Sequence, residues 1–445
     1  MTKEKSTLRK RVTRYAKVTT SMAGFGARAA GKKYLGLNPD RQKQAERLRM
    51  ALGGLKGPLM KVAQILSTIP DAVPKEYALE LSQLQSDAPS MGWPFVKRRM
   101  AAELGPDWES KFKSFEHEAS AAASLGQVHK AVSHDGRKLA CKLQYPDMLS
   151  TVEADLQQLK LVLAVFERYD RAVSTKEVQK EIADRLREEL DYDLEAKHVS
   201  LYRAMLADVE GVQVPEVVEK LSTGRLLTMT WLDGERLVAV AEKRSVKDRN
   251  AIAVNMFRAW YTPFYYYGVI HGDPHLGNYT VRKDNSINLL DFGCVRIFKP
   301  GLVEAVMMLY TALNEGKPEL AVEAYRALGF VKPSKQLIEI LNVWAQFIYA
   351  PLLEDKTRLI EETNTGLYGR ETANKVHVEL RKIGGVTVPR EFVFMDRAAI
   401  GLGSVFLRLR AEINWYRMFH DLVSGFDAKK LARNQAGVLK KSKIV

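Results

Sequence analysis

His271-Gly272-Asp273-Pro274-His275-Leu276-Gly277-Asn278, followed by Asp291-Phe292-Gly293, is the stretch that most narrows what this 445-residue chain can fold into. Asp273 and Asn278 stand five apart, and Asp291 lies eighteen beyond Asp273. Phosphoryl transfer needs one carboxylate to orient the nucleophile, and an amide plus a second carboxylate to hold Mg²⁺ against the phosphates. All three groups occur here in that order. Asp-Phe-Gly alone is a common turn tripeptide, and His-Gly-Asp-Pro fits any loop. The flanking segments add the missing constraint. Ile287-Asn288-Leu289-Leu290 reads as a short buried strand delivering Asp291, and Tyr279-Thr280-Val281 as its hairpin partner across Asp284-Asn285.

The length allows two or three domains, and 46% apolar residues are enough for a large core without covalent staples. Two cysteines, Cys141 and Cys294, cannot make a disulfide framework, which suits a reducing compartment; each is expected to fill a small apolar slot. The net charge of +15 is uneven, because residues 1 to 61 hold sixteen Lys and Arg against three acids. Arg9, Lys10, Arg11, Arg14, Lys17, Arg28, Lys32 and Lys33 are interleaved with Val12, Tyr15, Val18, Met22 and Phe25. That pattern can fold as a basic amphipathic helix on an anionic surface, or remain a solvated arm. A transit peptide fits less well, since no secretory-type apolar stretch or cleavage site follows. The most apolar window, Ile252 to Ile270, is interrupted by Asn255, Arg258 and Pro263, so a buried helix is expected there and not a membrane span. Its aromatic residues Phe257, Trp260, Tyr261, Phe264, Tyr265, Tyr266 and Tyr267 are then core, and no nucleic-acid partner is expected.

Residues 38 to 115 read as helical, punctuated at Gly57-Pro58, Pro70, Pro74 and Pro89. Gln127 to Val132, the turn His134-Asp135-Gly136 and Lys138 to Gln144 then read as an antiparallel hairpin. Two helices follow, over Met148 to Tyr169 and Thr175 to Met205, then strands at Gly211 to Pro215 and Arg225 to Thr230. Trp231-Leu232-Asp233-Gly234 reads as a hinge, and from Val246 onward the pattern is helical apart from the hairpin carrying the acids. The expected class is α+β: a bilobal, protein-kinase-like fold with a small β-containing N-lobe, a mostly helical C-lobe and ATP bound between them. The corresponding domains are a basic arm (1–35), a helical extension (36–115), an N-lobe with inserted helices (116–233) and a helical C-lobe (234–445).

Lys142 lies on the second hairpin strand between apolar Cys141 and Leu143, where an ammonium can reach the α- and β-phosphates. Its partner is expected from Glu188-Glu189-Leu190-Asp191-Tyr192; Glu189 is preferred and Glu188 is the alternative. The turn that should cover the phosphates reads Ala121-Ala122-Ala123-Ser124 where glycines would be expected, and alanine resists positive φ. Read alone, this alanine run could also start a helix. Lys61 and Gln64 are one turn apart and share a helix face, which general chemistry would leave in water.

Taken together these motifs resemble the UbiB/AarF family of atypical kinase-like proteins, whose members are linked to ubiquinone biosynthesis. The resemblance runs from about Gly57 to Arg296. It includes Lys61 and Gln64, Ser124-Leu125-Gly126-Gln127-Val128, Lys142 with Gln144-Tyr145-Pro146, Glu189 and Asp191, the His271 to Asn278 loop, and Asp291-Phe292-Gly293. The resemblance implies that the N-terminal helices fold over the cleft and bring Lys61 and Gln64 into the site. Ala63 stands where the family has Gly. Some members end in membrane-spanning helices; Phe392 to Val445 contains none, so peripheral attachment is expected.

From Gly293 only Cys294 to Pro300 precede a helix-like segment and no Ala-Pro-Glu follows, so a platform for peptide substrates in trans is not expected. The leading expectation is an Mg²⁺-dependent ATPase or small-molecule/lipid kinase supporting ubiquinone biosynthesis at a membrane surface. Asp273 would orient the nucleophile, Lys142 with Glu189 would hold the phosphates, and Asn278 and Asp291 would bind Mg²⁺. Ala121, Ala122, Ala123, Ser124, Lys61 and Gln64 would line the nucleotide. The expected partners are ATP/ADP, with an anionic membrane or isoprenoid-quinone precursor and quinone-biosynthesis proteins as further candidates. The expected location is cytoplasmic, with peripheral attachment to the inner membrane as an option, or the mitochondrial matrix in a eukaryote. The alternative is a nucleotide-sensing scaffold with incidental turnover.

Overall fold

The structure is a computed structural model that describes residues 91–122, 125–167, 175–361, 367–383 and 389–444. Lys61, Gln64, Ala123, Ser124 and the basic arm lie outside the described residues. The described chain forms two compact units, one from residues 91–192 and 219–228, the other from 193–218 and 229–444. The segment expected as an N-lobe, 116–233, therefore contributes to both.

In the first unit, α1 (Trp93–Leu104) carries Pro94 in its first turn, where the missing N–H costs nothing. It buries Phe95, Val96 and Met100. Arg99 is also buried; its Nε donates to the Gln144 carbonyl at 3.0 Å, and Glu103 answers its charge at 3.2 Å. The sheet comprises β1 (Ser114–Phe115), β2 (Ala121–Ala122), β3 (Gly126–Val132) and β4 (Lys138–Gln144). The predicted hairpin is β3–β4, in antiparallel register with Val128 opposite Lys142. Ala121 and Ala122 start no helix; they pair with Val128 and Gln127. Gln127 is fully buried, receives the Met91 N–H at 2.7 Å and donates to His129 at 2.8 Å, so it ties the chain before α1 to the sheet.

The next elements are α2 (Met148–Glu167), α3 (Thr175–Glu188) and α4 (Tyr192–Met205). Sequence periodicity predicts one helix from 175 to 205, but the structure breaks it at Glu189–Asp191. The buried Gln144 side chain donates to the Leu190 carbonyl at 2.9 Å, so a side chain from the sheet takes an acceptor that a continuous helix would use internally. After β5 (Val212–Gln213), β6 (Leu226–Thr230) joins the first sheet beside β4.

The second unit begins its own sheet with β5 and β7 (Glu235–Arg236), then adds α5 (Leu237–Lys243) and α6 (Val246–Tyr267). Ser245 caps α6 by accepting the Asp248 N–H. Gly268, at φ 63°, ends the helix in the left-handed conformation and turns the chain at once into β8 (Val269–His271). The predicted helix thus ends before Val269 and Ile270, which are strand. Phe257, Trp260, Phe264 and Tyr265 are buried in the core as expected, and Tyr261, Tyr266 and Tyr267 pack against it half-buried.

The predicted acid-bearing hairpin is β9 (Tyr279–Val281) and β10 (Ile287–Leu289), with β5 parallel on its other side. An additional two-stranded sheet pairs β8 with β11 (Val295–Ile297). Helices α7 (Pro300–Glu315), α8 (Pro318–Ala327), α9 (Lys335–Leu353), α10 (Leu367–Lys382), α11 (Arg390–Leu409), α12 (Trp415–Val423) and α13 (Ala428–Lys441) complete the unit. Among the described residues no helix is long and apolar enough to cross a membrane.

Both cysteines are buried and neither forms a disulfide, and burial pushes the Cys141 thiol up to about 12. On α11, Asp396 receives the Trp344 indole N–H at 2.6 Å, and burial pushes its carboxyl up to about 7. Because the folded value lies above the ordinary one, this group's contribution is present at acid pH and is lost as pH rises through about 7. Asp396→Asn keeps an acceptor for Trp344 without a charge to bury. Its melting temperature is expected to exceed that of the parent at about pH 8, with the gap closing towards about pH 5.

Candidate active site

Three of the expected residues lie in the second unit, on the loops that leave β8 and β10. Asp273 follows β8 by two residues, Asn278 closes a single 3₁₀ turn before β9, and Asp291 follows β10 by two. The Asn278 amide nitrogen donates to both the Asp273 carbonyl (3.1 Å) and its carboxylate (3.2 Å). The Leu290 N–H reaches the Asn278 carbonyl at 3.0 Å, which links the first loop to the residue before Asp291. Asp291 accepts the Gly293 N–H at 3.0 Å, fixing its carboxylate over the turn.

His271 joins the two loops more tightly. Its Nδ1 faces the Asp273 N–H at 3.2 Å and its Nε2 faces the Asp291 carbonyl at 2.6 Å. A backbone N–H can only donate, so Nδ1 accepts. A carbonyl can only accept, so Nε2 carries the proton. The ring is a neutral Nε2–H tautomer, buried against Tyr202, Trp260 and Phe292. Gly272 is the residue this crossing requires: its N–H donates to the Cys294 carbonyl at 2.7 Å, and a Cβ there would stand 2.6 Å from the Cys294 sulfur.

Sequence reasoning missed the residues that hold Phe292. From α4, Glu195 accepts the Phe292 N–H at 3.4 Å and His198 donates through Nδ1 to its carbonyl at 3.1 Å. The ring of Tyr202 packs 5.2 Å from that of Phe292. Glu195, His198 and Tyr202 lie on one face of α4, and all three are buried. The available signal was two polar residues placed inside the apolar stripe of a helix, which are costly unless partnered.

In the first unit, Lys142 is half-buried on β4 between fully buried Cys141 and Leu143, and its ammonium sits 5.3 Å from the Tyr192 ring centroid. Tyr192 was also missed. Its hydroxyl would lie 2.9 Å from a Cβ on Gly126, and the Leu143 carbonyl would lie 2.5 Å away, so only glycine fits at the start of β3. Glu188 and Glu189 are both half-buried at the end of α3. Of the alanine loop, Ala121 and Ala122 are placed in β2.

The donor set of the second unit suits Mg²⁺. The Asn278 amide nitrogen is occupied by Asp273, so its oxygen is the end left to meet a cation, and Asp291 offers a carboxylate; both are hard oxygen ligands. Among the described residues no three His, Cys, Asp or Glu side chains gather as a metal site. A Mg²⁺ that arrives with phosphates and keeps its waters needs only one or two protein carboxylates.

A small sheet unit with a strand lysine and a helical unit with strapped acid loops define a kinase-like α+β protein. The chain belongs to the ABC1 atypical kinase-like domain family, whose profile matches residues 83–324. It is 27% identical over 423 residues to the atypical kinase coq-8, mitochondrial, of Caenorhabditis elegans, covering 92% of this chain and 54% of that protein. It is 31% identical over 294 residues to AarF domain-containing protein kinase 1 of Gallus gallus, covering 64% and 56%. The chain thus spans about half the length of these curated relatives. Among solved structures, it is similar to Rv3197 of Mycobacterium tuberculosis in complex with erythromycin, at 25% identity and a TM-score of 0.63 over 87% of this chain and 97% of that one.

His271→Phe keeps an aromatic ring against Phe292 but removes both hydrogen bonds. It is expected to cost about 1–3 kcal/mol by leaving the Asp273 N–H and Asp291 carbonyl without this partner. Urea unfolding of the purified variant measures that loss.

Proposed function

We propose that this chain is an Mg²⁺-dependent ATPase or small-molecule/lipid kinase that supports ubiquinone biosynthesis at a membrane surface. The observation that carries the proposal is the strapping of Asp273, Asn278 and the Asp291 loop by His271 and Asn278. Phosphoryl transfer is mostly positioning and charge neutralisation, so loops held by hydrogen bonds are what the chemistry requires. When bound, Mg²⁺ supplies neutralisation of phosphate charge. Asn278 and Asp291 hold it, and Asp273 orients the attacking hydroxyl or water. Lys142 takes the α- and β-phosphates, with Glu189 as its positioning partner. Ala121, Ala122, Ala123 and Ser124 are assigned to the phosphates, and Lys61 and Gln64 of the 36–115 extension to the nucleotide, by the resemblance alone.

The acceptor side follows from chain length. β11 occupies Val295–Ile297 and α7 starts at Pro300, so few residues separate Gly293 from a helix. That is too little chain for a peptide-binding platform, which favours water or a small acceptor. The nucleotide-sensing scaffold remains the second reading because Ala121 and Ala122 spend their backbone on pairing with β3.

Asp291→Asn is expected to abolish the thermal stabilisation given by Mg-ATP; unchanged stabilisation would remove Asp291 from the site. ATP hydrolysis measured with and without anionic liposomes separates the two readings. Faster turnover on liposomes supports the enzyme, and tight binding without hydrolysis supports the scaffold. Removal of residues 1–35 is expected to weaken co-sedimentation with those liposomes, and undiminished binding would exclude the arm as the anchor.

A further inference from the structure

The catalytic loop is also held from outside, by α11. Gly401 faces Pro274, the residue after Asp273. A Cβ placed on Gly401 would overlap the Pro274 Cγ and stand 3.0 Å from Cβ and 3.3 Å from Cδ. Real Cβ atoms essentially never approach a neighbour so closely, so the absence of a side chain at 401 is what lets the loop lie where it does. A proline ring cannot swing aside as a lysine tip can, because Cδ is bonded to the backbone nitrogen. Moving the ring moves the Asp273–Pro274 peptide with it.

Gly401 lies in the interior of a 20-residue helix, Arg390–Leu409, where glycine is about 1 kcal/mol less favourable than alanine. Its φ is helical, so no backbone conformation requires it. Gly403, two residues on, has the same intrinsic disadvantage, and a methyl group there would meet no atom within 4 Å. The same helix therefore contains one glycine with a neighbour that excludes a side chain and one without. Around Gly401, α11 is anchored by buried Ala398, Leu402 and Val405, so it cannot simply retreat. It also reaches β11, the strand that follows the second acid loop: Phe394 receives the Arg296 guanidinium 5.0 Å above its ring.

The geometry points to Gly401 as a positioning residue for phosphoryl transfer: the notch it leaves in α11 seats Pro274 and thereby sets where Asp273 and Asn278 stand. This inference rests on the reading of those two residues given above. The bonds at stake are short and local, since Asp273 N–H meets His271 at 3.2 Å and Asn278 meets the Asp273 carbonyl at 3.1 Å. A methyl at 401 pushes on the peptide between them. Displacements of about 1 Å in a catalytic constellation can cost on the order of 10²-fold in rate.

The test compares Gly401→Ala with Gly403→Ala in the full chain. Hydrogen exchange of the peptide covering residues 271–278 is expected to accelerate in Gly401→Ala and to stay at the parental rate in Gly403→Ala. The kcat for ATP hydrolysis is expected to fall on the order of 10²-fold in Gly401→Ala, with a much smaller change in the Kd for Mg-ATP. In a Pro274→Ala background the ring Cγ and Cδ are gone, so adding Gly401→Ala is expected to have a smaller effect than in the parent. That partial rescue is a result general destabilisation would not give, and the double variant also carries the comparison should Gly401→Ala not fold. Indistinguishable exchange in the two glycine variants, or loosened exchange with an unchanged kcat, overturns the inference. Loosened exchange confined to Gly401→Ala in a chain whose parent neither binds nor hydrolyses Mg-ATP keeps the seat and overturns the phosphoryl-transfer reading instead.

Discussion

A single neutral imidazole carries the organisation of the second unit. His271 accepts from one acid-bearing loop and donates to the other, and it can do both only as the Nε2–H tautomer. Such a bridge is costly to bury unless both of its nitrogens are satisfied, and here both are. The surrounding rings of Tyr202, Trp260 and Phe292 exclude water from it, which strengthens each hydrogen bond by lowering the local dielectric. Asn278 then repeats the device inside the first loop, spending its amide nitrogen on Asp273 and leaving oxygen for a cation.

The α4 helix explains why the second loop does not drift. Loops normally have the freedom that their solvent-exposed backbone allows. Phe292 loses that freedom because Glu195 and His198 take its N–H and its carbonyl, as neighbouring strands would. Helical spacing makes the pair possible, since positions three apart face the same side. The break between α3 and α4 belongs to the same arrangement. Gln144 draws the Leu190 carbonyl out of the helix ladder, and α4 starts afresh at Tyr192, whose ring lies beside the Lys142 ammonium.

The parts of this architecture that were legible in the sequence are those written in local pattern. The β3–β4 hairpin follows from alternation around Asp135-Gly136, and β9–β10 from two apolar runs around Asp284-Asn285. The spacing of Asp273, Asn278 and Asp291 singled out two loops that the structure joins through His271 and Asn278. What escaped was set by contacts distant in sequence. Leu190 breaks a helix because of a glutamine 46 residues earlier, and Phe292 is held by residues 94 and 97 positions before it. The β8–β11 pairing was hidden because Val269 and Ile270 continue the apolar pattern of the preceding helix, and only the left-handed Gly268 separates them.

The two units fix their candidate site residues by different physical means. In the first, Lys142 is a point charge on a strand whose register is held by seven residue pairs between β3 and β4. A strand already fixes the backbone, so the remaining problem is the flexible side chain. Tyr192 addresses it by offering a ring face to the ammonium, and Gly126 makes room for Tyr192. In the second unit the candidate residues are short carboxylate and amide side chains with little freedom of their own, and the problem is the loop beneath them. There the solution is a set of hydrogen bonds to backbone atoms, from His271, Asn278, Glu195 and His198. A stiff element needs its side chain steadied, and a short side chain needs its element steadied.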